Sequence, residues 1–184
     1  MKPGTVILGI DPGTNILGFG IISAGAHGPE YVDMGVLDIR KETDPYGKLA
    51  IIHDNVSEII KTYHPDILAI ESPFYGKNAQ VIFKLGRAQG AAIVAASRAG
   101  LPVYEYAPRK AKEAITGNGA ASKEQVSLII QRTLKVELDD KYLDATDALA
   151  LALCHYYQSS SPLASLKGSG SWESFLKEHP DRIK

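Results

Sequence analysis

Cysteine is almost missing from this chain. Its one thiol, Cys154, lies in the apolar stretch Ala148 to Cys154, so the 184 residues can form no internal disulfide and no cysteine-rich zinc site. A small buried hydrophobe is the role that fits it. Long apolar runs are missing too; none approaches the roughly 20 residues of a bilayer-spanning helix. The opening Met1-Lys2-Pro3-Gly4 lacks the basic-then-apolar pattern of a secretory signal. A cytoplasmic protein without membrane attachment is the expectation. No Ser-His-Asp or Cys-His arrangement is offered. His53, His64, His155 and His179 are expected at surface or element-end positions, and His155, two turns beyond Asp147, reads as structural. A net charge of −1 gives no whole-chain signal for nucleic acid.

What is present suits one domain with a proper core: 45% hydrophobic and 22% charged residues. Residues 5–11, 16–24 and 31–39 read as three strands joined by short links, which favours an antiparallel meander. Gly18 and Gly20 inside the second strand point to close approach by another backbone or a ligand. Tyr46, Leu49, Ile52, Val56, Ile59, Ile60 and Tyr63 keep helical spacing, and Pro65 stops that helix at His64. Ile67 to Ile70 is continuous apolar strand with Glu71 at its end. A long helix follows over 78–99, stopped by Gly100, and Val103 to Tyr106 is a fifth strand. Pro108 opens a short helix that ends at Gly117-Asn118-Gly119. Ser122 and Gln125 have capping-box spacing for a helix to Leu134, and a last helix spans Leu143 to Tyr157. The order predicts an α/β fold: a mixed five-stranded sheet with helices on both faces. Residues 1–157 form this domain. Residues 158–184, rich in Ser and Gly, read as a flexible C-terminal tail.

Four carboxylates recur at core elements. Asp11 ends the first strand and Glu71 the fourth, while Asp144 and Asp147 share one face at the start of a helix that is apolar nearly all round. For Asp144 an N-cap is an alternative. Asp147 lies farther inside, where a cation, a donor network or protonation must offset its desolvation. Oxygen-only ligands of this kind prefer Mg²⁺ or Mn²⁺. Two such ions about 4 Å apart can activate water and stabilise a leaving oxygen in phosphodiester cleavage. Between Lys77 and Lys135 ten basic residues face only three acids, Glu105, Glu113 and Glu124. That asymmetry fits either a basic surface for a polyanion or ordinary solvated helix faces.

Asp11-Pro12-Gly13-Thr14 followed by Gly18 resembles the first phosphate loop of the actin, Hsp70 and sugar-kinase superfamily. Those proteins need a second similar domain, and this chain has neither the length nor a second Asp-x-Gly-Thr. A broader set of motifs points elsewhere: Ile7 to Thr14, Ala69-Ile70-Glu71, Lys77-Asn78-Ala79, Lys84 to Gly90, and Asp144-Ala145-Thr146-Asp147-Ala148-Leu149-Ala150. In order and spacing, over about residues 5–157, they resemble the bacterial RuvC Holliday junction resolvases.

The resemblance implies a ribonuclease H-like fold, a homodimer, and paired symmetric nicks in strands of like polarity at four-way DNA junctions during homologous recombination and DNA repair. It also implies divalent metal, normally Mg²⁺, a thymine-rich cleavage preference, ends bearing 5′-phosphate and 3′-hydroxyl, and work with the RuvA–RuvB branch-migration complex. Asp11, Glu71, Asp144 and Asp147 match the family's catalytic and metal-binding acids. Lys112 and Lys123 match basic residues near the scissile strand, and Phe74 an aromatic that stacks on a junction base. Lys77 and Arg87, within the matching motifs, join them as candidate DNA contacts. Ser72-Pro73 departs from the Gln and branched apolar residue that many members carry after the glutamate. Gly86 and Gly90, one turn apart, give the long helix a flat face expected at a two-fold interface. A junction-binding protein without nuclease activity, and a ribonuclease H-like nuclease acting on RNA, remain the alternatives.

Overall fold

A computed structural model of the chain describes residues 1–73, 78–138 and 143–160. The elements follow the order β1 (Val6–Asp11), β2 (Ile16–Ala24), β3 (Pro29–Asp38), α1 (Pro45–Tyr63), β4 (Ile67–Glu71), α2 (Ala79–Arg98), β5 (Val103–Tyr106), α3 (Pro108–Thr116), α4 (Lys123–Leu134) and α5 (Leu143–Ser160). The strands form one sheet in the order β3-β2-β1-β4-β5. The first three pair antiparallel, while β1–β4 and β4–β5 pair parallel. This is the mixed five-stranded sheet the sequence predicts.

Alternation along the strands divides the core in two. Leu8, Ile10, Leu17, Ile21, Leu68 and Ile70 pack with residues of α1 and α2 on one face. Ile7, Ile22 and Ala69 pack with α3, α4 and α5 on the other. Each fully buried Leu or Ile contributes about 1.5–3 kcal/mol relative to exposure, so a register slip that turned these residues outward would be heavily penalised.

Local chemistry sets the element ends. The Asp44 carboxylate accepts the Gly47 N–H at 2.6 Å ahead of Pro45, and α1 closes at His64 in the left-handed conformation (φ 47°) just before Pro65. Ser122 and Gln125 form the expected reciprocal capping box of α4. Gly117 closes α3 at φ 74°.

Three boundaries or placements differ from expectation. β3 starts at Pro29, inside the expected turn, because the turn is completed by Gly25 N–H donating to the Gly28 carbonyl and an edge strand tolerates proline at its first position. The last helix runs three residues past Tyr157, to Ser160. His155 is not at the surface; it is 3% exposed, with hydrogen bonds to the Tyr106 hydroxyl (2.7 Å) and Ser159 Oγ (3.0 Å), and burial pushes its pKa down to about 4. Its position on the inner face of an all-buried helix overrides its polarity.

α5 lies against the strands with almost no side-chain layer between. A Cβ at Gly18 would fall 2.0 Å from the Asp144 carbonyl oxygen, and one at Gly9 2.0 Å from that of Ala148. A Cβ at Gly20 would meet the backbone nitrogen and side chain of Leu149 at 2.7 Å. The close approach read from Gly18 and Gly20 is that of helix backbone, and Gly9 completes it. Gly18→Ala is expected to cost about 2–3 kcal/mol, the upper range for overpacking, because the obstruction is backbone that cannot rotate away. Urea denaturation measures it, and parent-like stability would contradict this account of the packing.

Candidate active site

The site begins with strand parity. Ile7, Gly9 and Asp11 alternate onto the sheet face that carries α5. Gly9 pairs with Ala69, and two residues on, Glu71 ends the parallel neighbour β4 on that same face. Two carboxylates therefore emerge at the carboxyl edge of two adjacent parallel strands, where open α/β sheets commonly bind ligands.

The glycine-seated helix brings the other two. Asp11 is paired with Gly18, which touches the Asp144 carbonyl, so the first turn of α5 sits directly above the end of β1. One carboxylate oxygen from each of Asp11, Asp144 and Asp147 lies within 4.8 Å of the others. Asp144 is inside the first turn of α5 rather than at its N-cap. Glu71 is not in that tight trio but lines the same cleft, of about 240 Å³, with Asp11, Asp147, Lys112 and Lys123.

The lysines arrive from separate helices. Lys112 lies in α3, and Lys123 opens α4 directly after its Ser122 cap. Lys123 Nζ donates to Asp147 Oδ2 at 2.5 Å. Burial draws the Lys123 pKa down, but the hydrogen bond to Asp147 and the charges of Asp147, Asp144 and Asp11 outweigh it and raise it overall. One ammonium does not balance the carboxylates. Burial, then Asp147 and Asp144, push Asp11 up to about 7 against the opposing charge of Lys123. Burial, then Asp11 and Asp147, push Glu71 up to about 8 against Lys123 and Lys112.

Of the remaining candidates, Phe74 and Lys77 lie outside the described residues. Arg87 is exposed on α2 and lines a different cavity, with Lys48 and Lys84. One supporting residue escaped the sequence reading. Gln89, 8% exposed, donates through Nε2 to the Glu71 carbonyl (3.1 Å) and to Glu105 Oε2 (2.8 Å), tying α2 to the end of β4. Its sign in the sequence is a lone amide on the alanine-rich face of α2.

The donor set fits a metal. Three carboxylates converge and offer only oxygen, and the pKa of Asp11 is raised first by burial and then by the charges of Asp147 and Asp144. Hard divalent cations favour such surroundings.

The electrostatics fix a pH dependence. Asp11 and Glu71 have folded-state pKa values above their ordinary ones, so their contribution to stability is fully present below about pH 4 and is lost as pH rises through about 7 and 8. At about 1.36 kcal/mol per pKa unit, metal-free protein should lose about 4 kcal/mol between pH 6 and pH 8.5, over about one pH unit for Asp11 and about two for Glu71, roughly 8–16 °C in melting temperature. Millimolar Mg²⁺ should shrink that gap, and Asp11→Asn should remove much of it without metal. Scanning calorimetry at the two pH values checks this; a metal-free protein more stable at pH 8.5 would contradict it.

Comparison with known proteins agrees with this geometry. A family model described as crossover junction endodeoxyribonuclease RuvC matches residues 7–155. A relative of that description from Bacteroides fragilis is 50% identical over 181 residues, spanning 97% of this chain and 96% of its own. The solved Thermus thermophilus RuvC structure aligns with a TM-score of 0.76 at 32% identity, over 84% of this chain and 95% of that one. T. thermophilus RuvC in complex with Holliday junction substrate aligns at 0.75 and 29% identity, with the same coverage. A family match that runs from β1 into α5, joined to half-identity over nearly the whole length, makes this chain a member of the RuvC family of crossover junction endodeoxyribonucleases.

Proposed function

We propose that the chain resolves four-way DNA junctions by metal-dependent hydrolysis of phosphodiester bonds, with paired symmetric nicks in strands of like polarity. One observation carries the reading: Asp11, Asp144 and Asp147 meet within 4.8 Å, and Asp11 and Asp147 line a cleft with Glu71, Lys112 and Lys123. Asp11, Asp144 and Asp147 hold Mg²⁺, with Mn²⁺ as a substitute, and Glu71 completes the cage. When bound, the metal supplies Lewis-acid polarisation of the phosphate and a more acidic water. Glu71 and Asp147 orient the water, whose oxygen bonds to phosphorus as the bond from phosphorus to the 3′-oxygen breaks. The ends are 5′-phosphate and 3′-hydroxyl. Lys112 and Lys123 face the charge that grows on the phosphate oxygens, where positioned cations act most strongly. Phe74 and Lys77, three and six residues after Glu71 in the sequence, extend the contact to junction bases and backbone; stacking on an aromatic is worth about 1–3 kcal/mol per base. Family resemblance adds the RuvA–RuvB complex as partner and the cytoplasm as site of action.

Paired cuts need two sites, and a homodimer supplies them. On α2, Phe83 is 70% exposed and Val94 51% exposed, while a Cβ at Gly86 or Gly90 would meet nothing within 4 Å. These positions follow one face of the helix at three- and four-residue steps and offer an apolar stripe to a second copy.

Two experiments test the reading. A labelled synthetic four-way junction with Mg²⁺ should be cut by the parent, with linear duplex and RNA–DNA hybrid left intact. Asp11→Asn and Asp147→Asn should bind it with cutting reduced at least about a hundredfold, the scale of losing a key electrostatic group. Preferred cutting of the hybrid would move the activity to RNA, and retained cutting by either variant would remove that residue from the machinery. Sedimentation at micromolar concentration should show a dimer that Phe83→Asp dissociates; a parent that stays monomeric with and without junction DNA would refute the interface.

A further inference from the structure

We infer that a second cavity, on the opposite face of the sheet from the acidic cleft, is a seat for a backbone phosphate of the junction strand. This inference deepens the junction-cutting reading and rests on it. The cavity, of about 360 Å³, lies where the β1–β2 turn, the start of α1 and the middle of α2 meet. Thr14, Asn15 and Thr43 line it with hydroxyl and amide groups, and Lys48, Lys84 and Arg87 line it with three cations. No Asp or Glu does. None of the three cations has an ion-pair partner among the described residues. Three like charges at one cavity repel each other until an anion joins them. The acidic cleft, by contrast, already contains its own counter-charge in Lys123.

The seat has a fixed relation to the chemistry. Lys48 Nζ donates to the Thr14 carbonyl (3.0 Å) and to Asn15 Oδ1 (2.9 Å), which ties it to the turn immediately after Asp11. An ammonium has three donors, so one is left for a ligand. Four residues separate Asp11 from Asn15, a span of at most about 14 Å. DNA advances about 3.4 Å per nucleotide along a strand. A strand crossing the carboxyl edge of the sheet thus meets the acidic cleft and the cationic cavity within about four nucleotides. A mononucleotide-sized pocket for a diffusing ligand is a poorer fit, because Lys84 and Arg87 are exposed and no aromatic ring lines the cavity to stack a base.

The test uses full-length protein in an Asp11→Asn background, so that binding is read without cutting. Junction affinity is measured against salt for that protein and with Lys84→Gln and Arg87→Gln added singly and together. Each lost phosphate contact should lower the slope of log K against log salt by about 0.9, so the pair should lose about 1.8. A junction series with one methylphosphonate at a time should then locate the contact. Neutralising a phosphate within about four nucleotides of the cut should weaken the protein with intact cations but not the doubly substituted one. An unchanged slope overturns the inference. So does a lower slope in which the doubly substituted protein keeps the full methylphosphonate pattern, since the charges would then act at long range or through the dimer. Junction cutting by the parent is run beside these assays. Its absence overturns the junction-cutting reading, whereas its presence with unaltered slopes overturns the phosphate seat alone.

Discussion

The fold turns on one contact: the backbone of α5 resting on glycines of β1 and β2. With any Cβ at Gly9 or Gly18, the Ala148 and Asp144 carbonyls could not lie where they do. That contact fixes the height and rotation of the helix over the sheet, and so the distance of Asp144 and Asp147 from Asp11. A side-chain layer would hold the helix roughly 10 Å from the sheet, as ordinary packed layers are. The carboxylates would then be too far apart to share an ion. The active-site geometry is thus a property of the core, and the apolar sides of α5 that bury Leu149, Leu151 and Leu153 hold the acids in place as surely as hydrogen bonds would.

The same contact creates an electrostatic problem. Carboxylates are brought together where water is scarce, and among the described residues only Lys123 forms an ion pair with them. Asp11 and Glu71 respond by holding protons into the neutral range. In the proposed reading the repulsion among the carboxylates, which adds to burial in holding those protons, is what a divalent cation relieves when it displaces them. Gln89 serves the arrangement from the other face of the sheet, gripping the Glu71 carbonyl so that the strand end cannot drift.

Much of this was legible from local signals. Proline, glycine and capping residues act over a few positions, so the stops at His64 and Gly117 and the capping box of Ser122 and Gln125 are where the sequence places them. Gly18 and Gly20 announced a close approach because glycine inside a buried strand has few other uses. What was hidden depends on partners far away in the chain. Gly9 gives no more sign than any glycine until α5 is above it. Lys48 looks like an ordinary helix lysine until the β1–β2 turn comes within reach of it. His155 reads as a structural residue at a surface or element end until Tyr106, 49 residues earlier, supplies its partner in the core. For Asp144 the sequence leaves a cap open as an alternative, because local signals do not fix a helix start to one residue; the structure starts α5 at Leu143, as predicted, and puts Asp144 in its first turn.

The central claim is that Asp11, Asp144 and Asp147 together capture a divalent ion. A crystal grown with Mn²⁺ tests it most directly, because the anomalous signal of manganese locates the ion without assumptions. The account predicts a peak enclosed by one oxygen from each of the three aspartates, at about 2.1 Å from them, as octahedral oxygen sites require. Manganese bound elsewhere on the chain, with this trio left bare at saturating concentration, would contradict it.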